Sequence, residues 1–259
     1  MEPGLLLHFL AVAALAGYFH TVTGFGLGII VMSATSGLGI LSVASVAAVI
    51  SLMMLINGVF ALPGKLQHIH WPSVKAAGLG IVPTILLGVL LLNFLEGRAT
   101  AWLGILLGLV IIYGGISLFM QPRPRRTLSS RRSFAFYGGF SGFLGGLFGI
   151  AGPPLIYHCY RQPVELARIS SMLILLFSIT SAVRTLFIGL QGQLNAEILL
   201  LTAWSIPVIA AATFLGRRFP PPIPLKLLRQ VVVLFLLIVG TRLVVVALGD
   251  VALLEMVSR

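Results

Sequence analysis

Charge is scarce in this chain. Only 9% of its 259 residues are Asp, Glu, Lys or Arg, against about 25% in soluble proteins. Six are acidic: Glu2, Glu96, Glu165, Glu197, Asp250 and Glu255. All six fall at the ends of apolar stretches or in loops. No carboxylate lies deep in an apolar run, where cation pumps and many proton relays keep one, so a cation substrate is not expected. Cysteine is nearly absent too. Cys159 stands alone, which excludes an internal disulfide and leaves it without partners for a metal site. The residue sets of intramembrane enzymes are also missing. There is no His-Glu metal pair and no buried carboxylate dyad, and the adjacent His158 and Cys159 would point in different directions on a helix. No catalytic residue, cofactor or metal is expected.

Apolar sequence is what the chain does have. Hydrophobic residues make up 58% and the mean hydropathy is +1.09. Several runs reach the ~20 residues that a spanning helix needs. These features describe an all-α polytopic membrane protein with no separate soluble domain. The first run starts at Leu5 with no Lys or Arg before it, unlike a cleaved secretory signal. A net charge of +11 would suggest nucleic acid in a soluble protein. Here the basic residues sit in short loops between apolar runs, which points to membrane orientation instead. The expected partners are a lipid bilayer and a small solute; a homodimer is left open.

Ten apolar stretches can be read, five in each half. The first repeat (1–120) holds 5–22, 27–38, 40–62, 74–94 and 100–120. A basic link (121–133) containing "QPRPRRTLSSRR" follows. The second repeat (134–259) holds 134–148, 153–160, 169–190, 196–216 and 227–249. The second stretch of each half is too short to cross. Eight residues make about 12 Å of helix and twelve about 18 Å, against a core of about 30 Å. Each could continue the preceding helix after a kink, or turn back as a re-entrant hairpin.

The basic residues separate these options. If each short piece returns to its own side and the link is cytoplasmic, 13 of the 17 Lys and Arg residues fall on the link side. Arg98 and Arg259 fall outside, and Arg184 and Arg242 lie within spans. If the pieces continued across, Arg217, Arg218, Lys226 and Arg229 would lie outside, against the positive-inside tendency. Hairpins, or two full crossings, are therefore expected. An odd number of crossings per half then gives two inverted repeats, with both chain ends outside. "FGLG" at Phe25 and "FGIA" at Phe148 lie 123 residues apart, and Pro83 and Pro207 lie 124 apart. Inverted repeats with helices broken at matching positions are a mark of secondary transporters.

The breaks are the candidate site. "GLFGIAGPPLIY" (146–157) packs glycine and proline into membrane-grade sequence. Pro153 and Pro154 suit the first turn of a helix, where no N–H donor is needed. "TGFGLGII" (23–30) has the same character in the first half. Two helix N-termini near the midplane would favour an anion. The candidate contacts are Thr23, Gly24, Phe25, Gly26, Gly28, Gly149, Ala151, Gly152 and Pro153. Glycines at membrane depth also serve close helix packing, and this is the preferred role for Gly138, Gly139 and Gly142. Arg184 and Arg242 could contact the anion or snorkel to the outer interface. His20 and His158 could carry a proton or be hydrogen-bonded structural residues. Thr21, Ser141, Asn57 and Ser181 are weaker candidates. They could donate to an oxyanion or satisfy backbone freed by the breaks.

At these residues a family resemblance emerges. "GGFSGFLGGLFGIAGPPLIYH" (138–158) closely resembles the second-half signature of the TauE/SafE sulfite exporter family, and "HTVTGFGLGII" (20–30) looks like its first-half counterpart. Ile29 and Ile30 stand where further glycine is often found in that family. The resemblance implies a bacterial inner-membrane transporter, usually an exporter, of small sulfur oxyanions or organosulfonates such as sulfite or sulfoacetate. The accompanying expectation is alternating access, one half rocking against the other around an anion held by backbone N–H groups near both breaks, with Arg184 supplying charge. A non-transporting membrane subunit or receptor, or a carrier of another small organic anion, is the alternative.

Overall fold

The computed structural model describes residues 3–36, 42–96, 99–120, 125–219 and 225–257. Glu2, Arg98, Arg123 and Arg259 of the charge count lie outside the described residues, as do the side chains of Lys226, Arg229 and Glu255. Among the described residues, ten α-helices follow in order: α1 Pro3–Thr23, α2 Leu27–Ser36, α3 Val43–Ala61, α4 Trp71–Leu95, α5 Thr100–Phe119, α6 Arg131–Phe148, α7 Gly152–Tyr160, α8 Leu166–Leu190, α9 Ala196–Arg218 and α10 Leu225–Val257. A short 3-10 turn, Leu66–His68, joins α3 to α4. No strand occurs among the described residues. Seven of the helices are long and apolar enough to cross a membrane; α2, α6 and α7 are the exceptions.

Each expected stretch corresponds to one helix, with ends displaced by a few residues. The largest differences have local causes. α6 begins at Arg131, inside what the sequence presented as link, because the Ser130 side chain caps it by accepting from the Ser133 N–H (3.3 Å). Ser42 and Asn195 cap α3 and α9 in the same way. α10 runs eight residues beyond Gly249, carrying Asp250 into helix.

The second-half break is a hairpin. α7 folds back along α6, so that His158 in its last turn stacks on Tyr137 (4.3 Å between ring centroids) and meets Phe134 edge-on (4.6 Å). Both aromatics belong to the first two turns of α6. Beyond the hairpin, the Arg125 N–H donates to the Arg161 carbonyl (2.7 Å) and the Ser129 N–H to Gln162 Oε1 (2.9 Å). α7 therefore returns to the face where the link enters α6, here called the link face. α1 and α2 likewise pack on each other.

Helix directions follow from the close contacts. α4 and α6 run parallel, with Gly138, Gly142 and Gly146 set against Ala77, Ile81 and Ile85 in turn. α1 and α9 also run parallel, since Gly17 faces Ile209 and Ala212 while Thr21 faces Gly216. α3 and α8 are antiparallel: Gly58 lies against Ser178 and Ser51 against Arg184. α5 and α10 are antiparallel as well, with Gly104 on Ala247, Gly108 on Val244 and Gly115 on Leu236.

The α4–α6 seam is the most extensive helix contact among the described residues. It exists because glycines four residues apart let two backbones touch. A Cβ on Gly142 would lie 2.7 Å from the Ile81 carbonyl oxygen, whereas one on Gly139 would find only ordinary contacts at 3.6 Å. Gly142→Ala should therefore lower the melting temperature in detergent clearly, and Gly139→Ala should leave it nearly unchanged. Equal effects of the two substitutions would contradict the seam.

Candidate functional site

Both helices break where the sequence places glycine. α1 stops at Thr23 and α2 starts at Leu27; α6 stops at Phe148 and α7 starts at Gly152. The chain turns through Gly24 (φ 84°) and Gly26 (φ 106°) in the first break and Gly149 (φ 68°) in the second. L side chains disfavour such angles. The two breaks meet. A Cβ on Gly28 would lie 2.8 Å from the Gly149 carbonyl oxygen. Farther along, the Tyr160 hydroxyl donates to the Thr23 carbonyl (3.1 Å), and its ring stands edge-on to Phe25 at 6.0 Å.

Between them lies a narrow cavity of about 20 Å³, room for one water-sized group. Phe25, Gly26, Gly28 and Ile29 wall it from the first break, and Ile150, Ala151, Gly152 and Pro153 from the second. Met54 of α3, Gly114 of α5, Ile156 of α7 and Phe177 of α8 complete it. Every lining side chain is apolar. Hydrogen bonding to a ligand therefore falls to backbone N–H groups, of which the first turns of helices have a surplus. Pro153 and Pro154 remove two such donors from α7, so α2 offers the richer set.

The other candidates are placed as follows. Gly24 is buried against Ser170 and does not line the cavity. Gly149 does not line the cavity and packs against Ala47 and Ile50. The Thr23 hydroxyl has the Phe19 carbonyl (2.8 Å) and the Phe25 carbonyl (2.9 Å) within reach and donates its one proton to either, closing the end of α1. His20 is buried, with its Nδ1 unpartnered among the described residues, and packs on Phe177, one layer behind the cavity. His158 is clamped between Phe134, Tyr137 and Gln162, toward the link face. Arg242 is exposed on α10, away from the cavity.

Arg184 is 1% exposed, so it does not snorkel. Its Nε donates to the Gly146 carbonyl (3.1 Å) and its Nη1 to Ser51 Oγ (3.3 Å). Gly146 lies in the last turn of α6, where carbonyls lose their helical donors. The arginine thus fills a bond that the break opened, and stands behind the cavity rather than in it. Glu96, at the end of α4, acts on it electrostatically without forming an ion pair; the one ion pair among the described residues is Arg168–Glu165, at the surface.

Asn57, which the sequence marked only weakly, ties three helices together. Its Nδ2 donates to Thr21 Oγ1 (2.9 Å) and Thr213 Oγ1 (2.8 Å). The Ser141 hydroxyl is fully buried and unpartnered among the described residues, and Ser181 is buried on α8. Tyr160, Met54 and Phe177 went unrecognised in the sequence, since nothing marks an aromatic or Met as wall-lining in a wholly apolar chain.

The family model Sulfite exporter TauE/SafE matches residues 9–243, a stretch that contains both breaks and every helix wall of the cavity. The chain belongs to this family. The TauE/SafE family is one of transporters, not enzymes. The chain is also similar to a Cupriavidus necator protein named Probable sulfite/organosulfonate exporter TauE, 49% identical over 252 residues that cover 96% of this chain and 98% of the relative. No solved structure matches the chain.

Replacing Arg184 by Ala strands the Gly146 carbonyl in the interior. That should cost about 1–3 kcal/mol of stability, the usual penalty for an unsatisfied buried group. Ser51→Ala, which leaves the Nε bond to Gly146 in place, should cost less. Thermal melts of the two purified variants test the ranking, and an unaltered Arg184→Ala melt would refute the capping role.

Proposed function

We propose that this protein exports a small sulfur-containing anion, sulfite or an organosulfonate, across a bacterial inner membrane by alternating access, with the anion held between the two breaks. The observation that carries the proposal is the meeting of Gly28 and Gly149 beside one shared cavity. A broken helix from each half contributes its N-terminal turn there, where free N–H groups and the helix dipole favour negative charge. In this conformation the cavity admits only a water-sized group, so the anion enters once the two breaks part, and the apolar walls then suit the short carbon chain of a sulfonate. Arg184 adds positive potential from one layer back, without contact. The name of the C. necator relative supports the substrate class.

Two inverted repeats fit the helix directions. The corresponding helices α3 and α8 are antiparallel, as are α5 and α10, and α1 on α9 repeats α6 on α4. Met54 and Phe177, which face the same cavity, are 123 residues apart, the spacing of the two "FG" motifs. Both termini are then outside and the link is cytoplasmic.

The moving bodies differ from the sequence halves. The α4–α6 seam joins the halves through glycine backbones, and rocking one half on the other would tear it. The bodies that can move are α1, α2, α3 and α9 on one side and α6, α7, α8 and α4 on the other. The cavity lies at their boundary, between α3 and α8.

A singly charged anion leaves an inside-negative cell with about 2.3 kcal/mol of driving force per 100 mV, so efflux needs no coupled ion. In proteoliposomes loaded with sulfite or sulfoacetate, an inside-negative potential should speed efflux; indifference to potential would overturn uncoupled export of a charged species. Gly152 offers a clean block. A Cβ there meets only the flexible tip of Ile156 (2.8 Å). Gly152→Leu should fill the cavity and abolish flux with the fold intact, while Gly139→Ala transports normally. Full flux through Gly152→Leu would remove the site. Single cysteines at the two ends should both react with an impermeant thiol reagent added outside cells.

A further inference from the structure

A second feature lies away from the transport cavity. At the link face, the first turns of α4 and α6 frame an open groove of about 530 Å³. Lys75, Arg131 and Arg132 line it, all exposed, and no acidic side chain among the described residues does. None of the three cations forms an ion pair among the described residues. Trp71, 46% exposed, stands at the first residue of the α4 span. The remaining wall is apolar, Leu79 above all at 78% exposed. That apolar track continues along the outer faces of α4 and α6 through Val82, Phe136 and Phe140, all exposed.

We infer that this groove binds an acidic phospholipid, its phosphate head group among Lys75, Arg131 and Arg132 and its acyl chains along Leu79 and Phe136. A soluble anion would use the cations but gain nothing from an apolar track one span long. A zwitterionic lipid would use the track but leave three cations unneutralised. An acidic lipid satisfies both, and Trp71 sits at the depth where indole rings mark the head-group layer. Basic pockets between spanning helices on the cytoplasmic side recognise such head groups. The groove is specific to one face. At the 123- and 124-residue offsets that relate the halves, Arg131, Arg132 and Lys75 correspond to His8, Phe9 and Leu199. The opposite face therefore has no equivalent cluster. The two sides of the groove come from different halves, so a bound lipid would clip the α4–α6 seam at its open end.

Native mass spectrometry of the detergent-solubilised protein with added cardiolipin or phosphatidylcholine tests this without any flux measurement, so its outcome is independent of the transport proposal. The protein should retain cardiolipin about tenfold or more over phosphatidylcholine, in keeping with the attraction of each basic residue to an acidic surface. Excess inorganic phosphate should not displace it. The combined Lys75→Gln, Arg131→Gln, Arg132→Gln variant should lose the preference. Because loss of three basic residues can disturb insertion, Leu79→Glu provides an independent variant; it keeps the cations, charges the track, and should lose the preference as well. Equal retention of both lipids, retention unchanged in either variant, or release by phosphate would each overturn the inference.

Discussion

Inside a bilayer, an opened helix must find new partners for the backbone groups it releases, because no water is there to take them. The rest of this structure is arranged around that constraint. Position 23 and position 146 are 123 residues apart, and both carry a carbonyl that its helix abandons. The halves answer with different donors. The Gly146 carbonyl receives Arg184, and the Thr23 carbonyl receives the hydroxyl of Tyr160. Local bonds close the rest: the Gly24 N–H reaches the His20 carbonyl and the Gly149 N–H the Gly145 carbonyl. The first turns of α2 and α7 carry N–H groups that have no partner within their helices, fewer in α7 because of Pro153 and Pro154. A chain that caps its broken C-terminal ends and leaves its broken N-terminal ends open presents net positive potential to the space between them.

The glycines divide by the same logic. Those at the breaks hold left-handed backbone or bring one turn against the other. Those at Gly138, Gly142 and Gly146 are helical and serve a seam in which carbonyls of α4 sit where side chains would be. Gly146 belongs to both sets: its missing side chain admits α4, and its freed carbonyl takes Arg184. The rigid seam and the open cavity are therefore built from consecutive turns of one helix.

Much of this was legible beforehand. Ten segments, their breaks and the turn-back of the short ones followed from run length, glycine and proline placement, and the bias of basic loops. Facing was not legible. An amphipathic helix announces its buried side, but α3, α8 and α10 have no sustained polar face, so the rotation of Arg184, Arg242 or Asn57 about its helix has no sequence signal. Arg184 and Arg242 look alike in the sequence, each a lone cation in the outer third of a span. One is buried against a broken helix end and the other lies exposed on α10. Long-range pairs such as Asn57 with Thr213, 156 residues apart, were equally hidden.

The bonds that cross the cavity's two flanking bodies indicate what a transport cycle has to exchange. Tyr160 to Thr23 joins α7 to α1, and Arg184 to Ser51 joins α8 to α3. Asn57 to Thr213, by contrast, lies within one body, and Arg184 to Gly146 within the other. Under the proposed movement, opening the cavity toward the link face would separate Tyr160 from Thr23 and uncover a backbone carbonyl to entering water. Opening it toward the opposite face would pull Ser51 from Arg184 and leave the arginine on its carbonyl. The guanidinium would then have a donor free for the proposed anion. The asymmetry between a neutral hydroxyl on one side and a cation on the other thus follows from how each half repaired its broken helix.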